Sequence, residues 1–381
     1  MDNYSKLKNL FNNLSIYDQI NSILSWDMAT MMPPKSRGAR ISQINLINEN
    51  KKKIFELIRK EKIFKNINKL KLNKSDKKNL LLMEKEFDYF SSIPIQILNN
   101  NKKLSYECEG LWREARLKNN FNVVKRKLFE LLKNILEISK ILSDKWEKNN
   151  YDCLIYLYDK SLTSANIQPL FDKVEKFIKP IYAKHLSKKN SLKINIDDFK
   201  LSESKEFEIS KFFMKKLGFN FKKGRVDKSL HPFCGGFSED IRITSRYENK
   251  PFSYFDALMH ETGHALYEFG LPKKWKNQPL GRAGGMSLHE SQSLFIEMQI
   301  IKSLPVSKFI QKTLADKIGK NPKIWSSEVI YNIRNKVKPG FIRVDSDEVH
   351  YPLHIIHRFN IEYKIIEEDA KVENLPDLWN E

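Results

Sequence analysis

The stretch Phe255-Asp256-Ala257-Leu258-Met259-His260-Glu261-Thr262-Gly263-His264-Ala265-Leu266-Tyr267-Glu268 sets His-Glu-x-x-His in an apolar run whose spacing predicts a helix over 252–269. Two histidines four positions apart lie one turn up the same helix face, about 40° apart around the axis, so their imidazoles can converge on one small cation. Glu261, beside the first histidine, can reach a water on that cation without being a ligand. Zinc in such a site needs a third protein ligand and an open position for water. The competing reading is a pair of buried, hydrogen-bonded core histidines, but Glu261 would then need a buried partner of its own. Gly263 costs about 1 kcal/mol relative to Ala in a helix interior. A small residue there lets another backbone or a substrate approach closely.

The helix ends at Gly270-Leu271-Pro272, glycine then proline. A turn, Gly281-Arg282-Ala283-Gly284-Gly285, leads to a second helix carrying Ser287 to Glu297. Glu290 lies 26 positions after His264, a span that one helix exit, a turn and a new helix cover, and spacing favours it as the third ligand. Glu297 is seven positions further on, shares that face and competes for the role. Glu268, one turn beyond His264, suits a bond to a ligand better than ligation itself. His289 could likewise hydrogen-bond a ligand.

Outward from this pair, helical periodicity covers residues 5–24, 37–60, 76–93, 104–118, 121–147, 166–185, 203–217, 306–318, 323–333 and 347–368. In the first, Leu7, Leu10, Phe11 and Leu14 form one apolar side, continued by Ile16, Ile20, Ile23 and Leu24. In the second, Ile41, Ile44, Leu46, Ile47, Ile54 and Leu57 are apolar. A break is expected from Ser25 to the prolines Pro33 and Pro34. Only 224–247, with His231-Pro232-Phe233-Cys234-Gly235-Gly236-Phe237 and Ile241 to Thr244, reads as β, giving one or two short strands and a hairpin. The fold expected is mainly α with a small β-hairpin or sheet near residues 224–247. No internal repeat or low-complexity linker divides the chain. A single domain over 1–381 is expected, with the metal-site core at about 225–360.

Hydrophobic residues make up 41% and aromatic residues 12% of the 381, which places the chain among globular proteins. The net charge of +20 is spread over separate elements, as in Lys51-Lys52-Lys53, Lys188-Lys189 and Lys215-Lys216, with no aromatic-interleaved platform or finger spacing, so no nucleic-acid partner is expected. No run of eighteen apolar residues suggests a membrane span. Met1-Asp2-Asn3-Tyr4-Ser5-Lys6 lacks a signal core. Cys108, Cys153 and Cys234 form neither a CxxC pair nor a disulfide framework, which fits a cytoplasmic setting.

Several segments together carry a resemblance. His231-Pro232-Phe233, Asp240-Ile241-Arg242-Ile243-Thr244, His260 to His264, His289-Glu290-Ser291-Gln292-Ser293 and Ile342-Arg343-Val344-Asp345-Ser346-Asp347 occur in this order, with Trp26-Asp27 to Pro33-Pro34 ahead of them. The chain resembles the thermostable carboxypeptidase Taq family of metallocarboxypeptidases from end to end, with Ser346 where Ala is usual. The resemblance implies a two-lobed helical body with a deep cleft, a homodimer, and release of single residues from peptides with a free C-terminus. It implies one Zn²⁺ per chain, or Co²⁺, on His260, His264 and Glu290, with Glu261 as the catalytic base. An exopeptidase must also read a terminal carboxylate, which a planar guanidinium binds through both oxygens. Arg343 is the first candidate and Arg242 the second, with Asp240 placed to orient Arg242 or a ligand histidine. His231 is expected to line the cleft, and Tyr351 and His354 to contact substrate or the oxyanion. The family's chains run past the position of Glu381 and carry a Gly-x-x-Gln-Asp-x-His-Trp motif, so the chain is expected to be C-terminally incomplete relative to them. Two alternatives stand beside the carboxypeptidase: a truncated non-catalytic remnant or peptide-binding paralogue, and an oligopeptidase or endopeptidase on the same metal site.

Overall fold

The computed structural model describes residues 2–187, 195–343, 346–368 and 370–380. Val344 and Asp345 of the Ile342 to Asp347 segment lie outside the described residues.

Seven helices come first: α1 (Asn3–Thr30), α2 (Arg37–Lys60), α3 (Lys74–Ser92), α4 (Ile95–Lys118), α5 (Asn122–Trp146), α6 (Asn150–Tyr158) and α7 (Ser164–Ser187). Their starts are set chemically. Asp2 accepts from the Ser5 N–H at 2.8 Å, Asn73 from Asp76 N–H at 2.9 Å and Asn149 from Asp152 N–H at 2.6 Å, each satisfying a donor the helix leaves unpaired. The helix α6 goes unread in sequence because nine residues give too few turns for a periodic signal. The break expected from Ser25 also moves. α1 continues to Thr30, since nothing in Ser25 to Thr30 disfavours helix, and it stops only before the two prolines.

The helix α8 (Glu203–Leu217) ends on Gly218 at φ +103°, a left-handed position that suits glycine. Then come β1 (Gly224–Lys228), β2 (Phe233–Phe237) and β3 (Asp240–Ser245). The expected hairpin is β2–β3, antiparallel with Cys234 opposite Ile243. The sheet is larger than expected: β1 pairs parallel to β3, so β3 is central and β2 forms an edge. Alternation of side chains does not encode the direction of a partner strand, so this parallel pair was not readable. The remaining helices are α9 (Ser253–Phe269), α10 (Met286–Leu294), α11 (Leu304–Ile318), α12 (Ser327–Arg334), α13 (His350–Glu367) and α14 (Leu375–Asn380), with a π-helical segment, Phe295–Ile301, continuing α10.

Three main apolar cores hold these elements. Leu7, Phe11, Leu14, Phe55, Ile58, Leu80 and Met83 join α1, α2 and α3. Tyr151, Phe359, Ile361 and Ile365 join α6 to α13. The largest core packs Phe213, Met214, Ile241, Ile243, Phe255, Leu258 and Met259 between α8, the sheet and α9, with Ile310 and Leu314 of α11 beneath. Burial of such side chains contributes roughly 1.5–3 kcal/mol each. Not every apolar position read in α1 and α2 is core: Ile16 and Ile20 are exposed, as are Leu46 and Leu57. The N-terminal helices meet the sheet through Trp26, whose ring contacts the guanidinium groups of Arg225 and Arg242, and through Ser22, which accepts from Gly236 N–H at 3.0 Å.

Candidate metal centre and cleft

Helices α9 and α10 cross with almost no space between them. A Cβ on Gly263 would lie 2.6 Å from the Ser293 Cα and 2.7 Å from the Gln292 carbonyl oxygen. The close approach expected at Gly263 is therefore the backbone of α10, and it brings Glu290 over the histidine pair. Glu290 Oε2 lies 3.3 Å from His264 Nε2 and 3.7 Å from His260 Nε2. One donor atom from each of the three falls within 4.8 Å of the others, and no second such group of His, Cys, Asp or Glu occurs among the described residues.

These spacings suit a metal. A tetrahedral ion with bonds of about 2.1 Å needs donors about 3.4 Å apart. Glu261 Oε2 is buried with no protein partner, so this carboxylate is not the paired core group that a purely structural reading of the histidines requires. Burial pushes Glu261 up to about 7; the nearby His260 opposes this, and Glu290 and Glu297 add to it. Glu290 goes the other way, to about 2: burial raises it, but the bond to His264, the charge of His260 and the bond from Tyr351 outweigh burial.

The ring nitrogens facing away from Glu290 are also tied. His260 Nδ1 lies 2.9 Å from Glu297 Oε2, and Lys302 Nζ donates to Glu297 Oε1 at 2.8 Å. Glu297, the competitor for third ligand, therefore sits behind His260 rather than beside Glu290. Burial raises its pKa, yet Lys302 and His260 hold it at about 2. His264 Nδ1 meets His289 Nδ1, and His289 Nε2 lies 2.9 Å from Glu268 Oε1. Lys302 was missed in sequence because it is five positions after Glu297, off the α-helical face. The π-helical segment, in which Lys302 N–H bonds Glu297 O at 3.0 Å, brings the two together.

The cleft over this site encloses about 810 Å³, and its lining among the described residues falls within 231–351. His231 and Arg343 are among the lining residues. Burial, then the charges of Arg246 and Arg343, lower the His231 pKa. Arg343 Nη1 donates to Tyr351 Oη at 2.7 Å, and Tyr351 Oη donates to Glu290 Oε1 at 2.7 Å. Burial, then the carboxylate of Glu290, raise the Tyr351 pKa. Arg242 is not among the lining residues. Its guanidinium is bonded to both Asp240 oxygens, at 3.0 and 2.8 Å, and stacks on Trp26. Arg242, the second candidate for reading substrate, thus sits against the α1 aromatic side chain and away from the cleft wall. Asp240 bonds Arg242 and neither His260 nor His264. His354 also lies off the cleft wall, with Nε2 2.9 Å from the Gly340 carbonyl. Asp347 accepts from Lys338 N–H at 2.9 Å and His350 N–H at 3.0 Å, which pins the cleft-lining segment before α13 to that helix's first turn.

A family model described as carboxypeptidase Taq (M32) metallopeptidase matches residues 6–381. Carboxypeptidase 1 of Bacillus subtilis (strain 168) is 29% identical over 98% of this chain and 75% of its own length. Thermostable carboxypeptidase 1 of Pyrococcus furiosus is 28% identical over 94% of this chain and 72% of its own length. The chain thus spans about three quarters of these relatives. Among solved structures, Trypanosoma cruzi metallocarboxypeptidase 1 superposes with a TM-score of 0.89 at 29% identity, covering 99% of this chain and 76% of that one. BsuCP gives 0.91 at 27% identity with the same coverage.

Proposed function

The chain belongs to the carboxypeptidase Taq (M32) metallopeptidase family, and on that premise we propose that this metallocarboxypeptidase uses one Zn²⁺, replaceable by Co²⁺, on His260, His264 and Glu290, with Glu261 as its base. The observation that carries this reading is the convergence of three donor atoms within 4.8 Å beside a buried carboxylate oxygen with no protein partner. An ion held by His260, His264 and Glu290 would supply Lewis acidity to the scissile carbonyl and a water that ionises near neutral pH. Beside such a cation Glu261 would be held ionised against the effect of burial. Glu261 then takes a proton from the attacking water and returns it to the leaving amine.

Arg343 takes the terminal carboxylate of the peptide through its planar N–H donors. Tyr351, bonded to both Arg343 and Glu290, fixes the distance between the carboxylate-reading end and the ligand end of the cleft. His231 forms part of the wall. The reading includes a homodimer, which the family resemblance implies, and a reducing cytoplasmic setting, which the three free cysteines fit. No helix among the described residues is long and apolar enough to cross a membrane.

The test is hydrolysis of a peptide against its C-terminally amidated form, with metal analysis of the same preparation. Cleavage of the free acid alone, by protein carrying one zinc per chain, is expected. Equal cleavage of both peptides would assign an endopeptidase instead. Bound zinc with no hydrolysis that depends on Glu261 would mark a peptide-binding remnant.

A further inference from the structure

We infer that Asp159 is a positioning residue for the helix that carries Glu290: its carboxylate anchors the start of α10 through Ser287 and so sets where Glu290 stands over the histidine pair. The inference rests on the proposed role of Glu290 as a ligand. Packing alone holds α10 loosely. Ser293 is its one buried residue, and Met286 and Leu288 in its first turn are exposed. Ser293 is also the point of closest approach to Gly263. That crossing fixes the helix at one place and leaves it free to pivot.

The second anchor comes from the loop after α6. Asp159 is buried, and its two oxygens have different partners. Oδ1 accepts from the Ser161 N–H at 2.9 Å and from the Ser161 hydroxyl at 2.6 Å, which fixes the carboxylate within its own loop. Oδ2 accepts from the hydroxyl of Ser287, the second residue of α10. The helix has no side-chain cap of its own, because Gly285 precedes it. That glycine is at φ +134°, and a Cβ on it would lie 3.0 Å from Asp159 Oδ2. Glycine therefore makes room for a carboxylate supplied by a distant segment, and an anion suits this end of a helix. Tyr267 of α9 holds the turn ahead of α10, accepting from the Gly284 N–H at 3.0 Å. Asp159 adds an attachment to a different part of the fold, since α6 packs on α13 through Tyr151 and Phe359. Glu290 stands midway between the two anchors, Ser287 and Ser293. These are about 9 Å apart along the helix. A swing of about 1 Å at Ser287 thus moves the Glu290 backbone by about 0.5 Å, where metal–ligand distances tolerate about 0.2 Å.

Zinc dissociation constants, measured by competition with a chromophoric chelator beside urea unfolding of the metal-free protein, test this. Asp159→Ala is expected to bind zinc about 10-fold more weakly. Asp159→Asn, whose carbonyl oxygen can still accept from Ser287, should recover most of that loss. Ser287→Ala removes the same bond from the other side and should cost as much, and the double variant should be no weaker than either single one. Asn73→Ala, which removes a cap from α3, should lower stability and leave zinc affinity unchanged, so general destabilisation does not imitate the effect. Zinc affinity within about twofold of wild type in folded Asp159→Ala, or losses that add in the double variant, overturns the inference. Should Asp159→Ala fail to fold, Ser287→Ala decides by the same criterion. Unchanged zinc affinity in Glu290→Gln would instead remove the proposed metal site itself, so the two failures are distinguishable.

Discussion

Gly263→Ala is the sharpest test of how α9 and α10 assemble the site. The added Cβ would stand 2.6 Å from the Ser293 Cα and 2.7 Å from the Gln292 carbonyl oxygen, whereas carbon atoms rest about 3.5–4.0 Å apart. Both obstacles are backbone, so the helices must separate locally by about 1 Å. Glu290 is on the helix that moves, and both histidines are on the one that stays. Metal–ligand distances tolerate only about 0.2 Å, so the loss of zinc affinity should be at least that of removing an outer partner, about 10–100-fold. Stability changes less, because a gain of about 1 kcal/mol in helix propensity opposes an overpacking cost of about 1–3 kcal/mol. The assay is zinc competition with a chelator beside urea unfolding of the metal-free protein. Gly38→Ala, whose Cβ would meet nothing within 4 Å, is the control. If Gly263→Ala binds zinc within about twofold of wild type, the close crossing does not place Glu290 and the reasoning fails.

Other outcomes follow from the same geometry. Glu261→Gln should retain zinc but lose about 10²–10⁴-fold in kcat; retained turnover would remove Glu261 as the base. Arg343→Met should raise KM for free-acid peptides and lessen discrimination against amides, whereas Arg242→Met, held against Trp26 and Asp240, should act through stability and leave that discrimination unchanged; steady-state kinetics on the peptide pair separates them. Glu206 gives a pH prediction. It is buried, accepts from the Phe255 N–H at 3.1 Å at the start of α9, and burial pushes its pKa from 4.5 up to about 7. The folded state holds this proton longer than the unfolded chain, so the associated stability is full below about pH 4.5 and lost as pH rises through about 7, a difference of about 3 kcal/mol. Glu206→Gln should match wild type near pH 4.5 and exceed it by about that amount at pH 8 in urea unfolding; a pH-independent difference would refute the shift.

The local features of this protein are carried by its sequence. Helix period and a terminal glycine such as Gly218 act over a few residues, so the helix limits of α2 and α8 were readable directly. The pairing of His260 with His264 is likewise local, since one helix turn fixes it. What the tertiary structure decided depends on crossing and curvature. Spacing left Glu290 and Glu297 in competition, and only the close crossing at Gly263 with the π-helical segment sets one beside the Nε2 atoms and the other behind His260. Arg242 and Arg343 are equally plausible as isolated arginines. Trp26, more than two hundred positions away in sequence, occupies the face of the first, and the second lies at the cleft because the segment before α13 is anchored by Asp347. Such contacts depend on where distant segments meet, which a period along one chain does not encode.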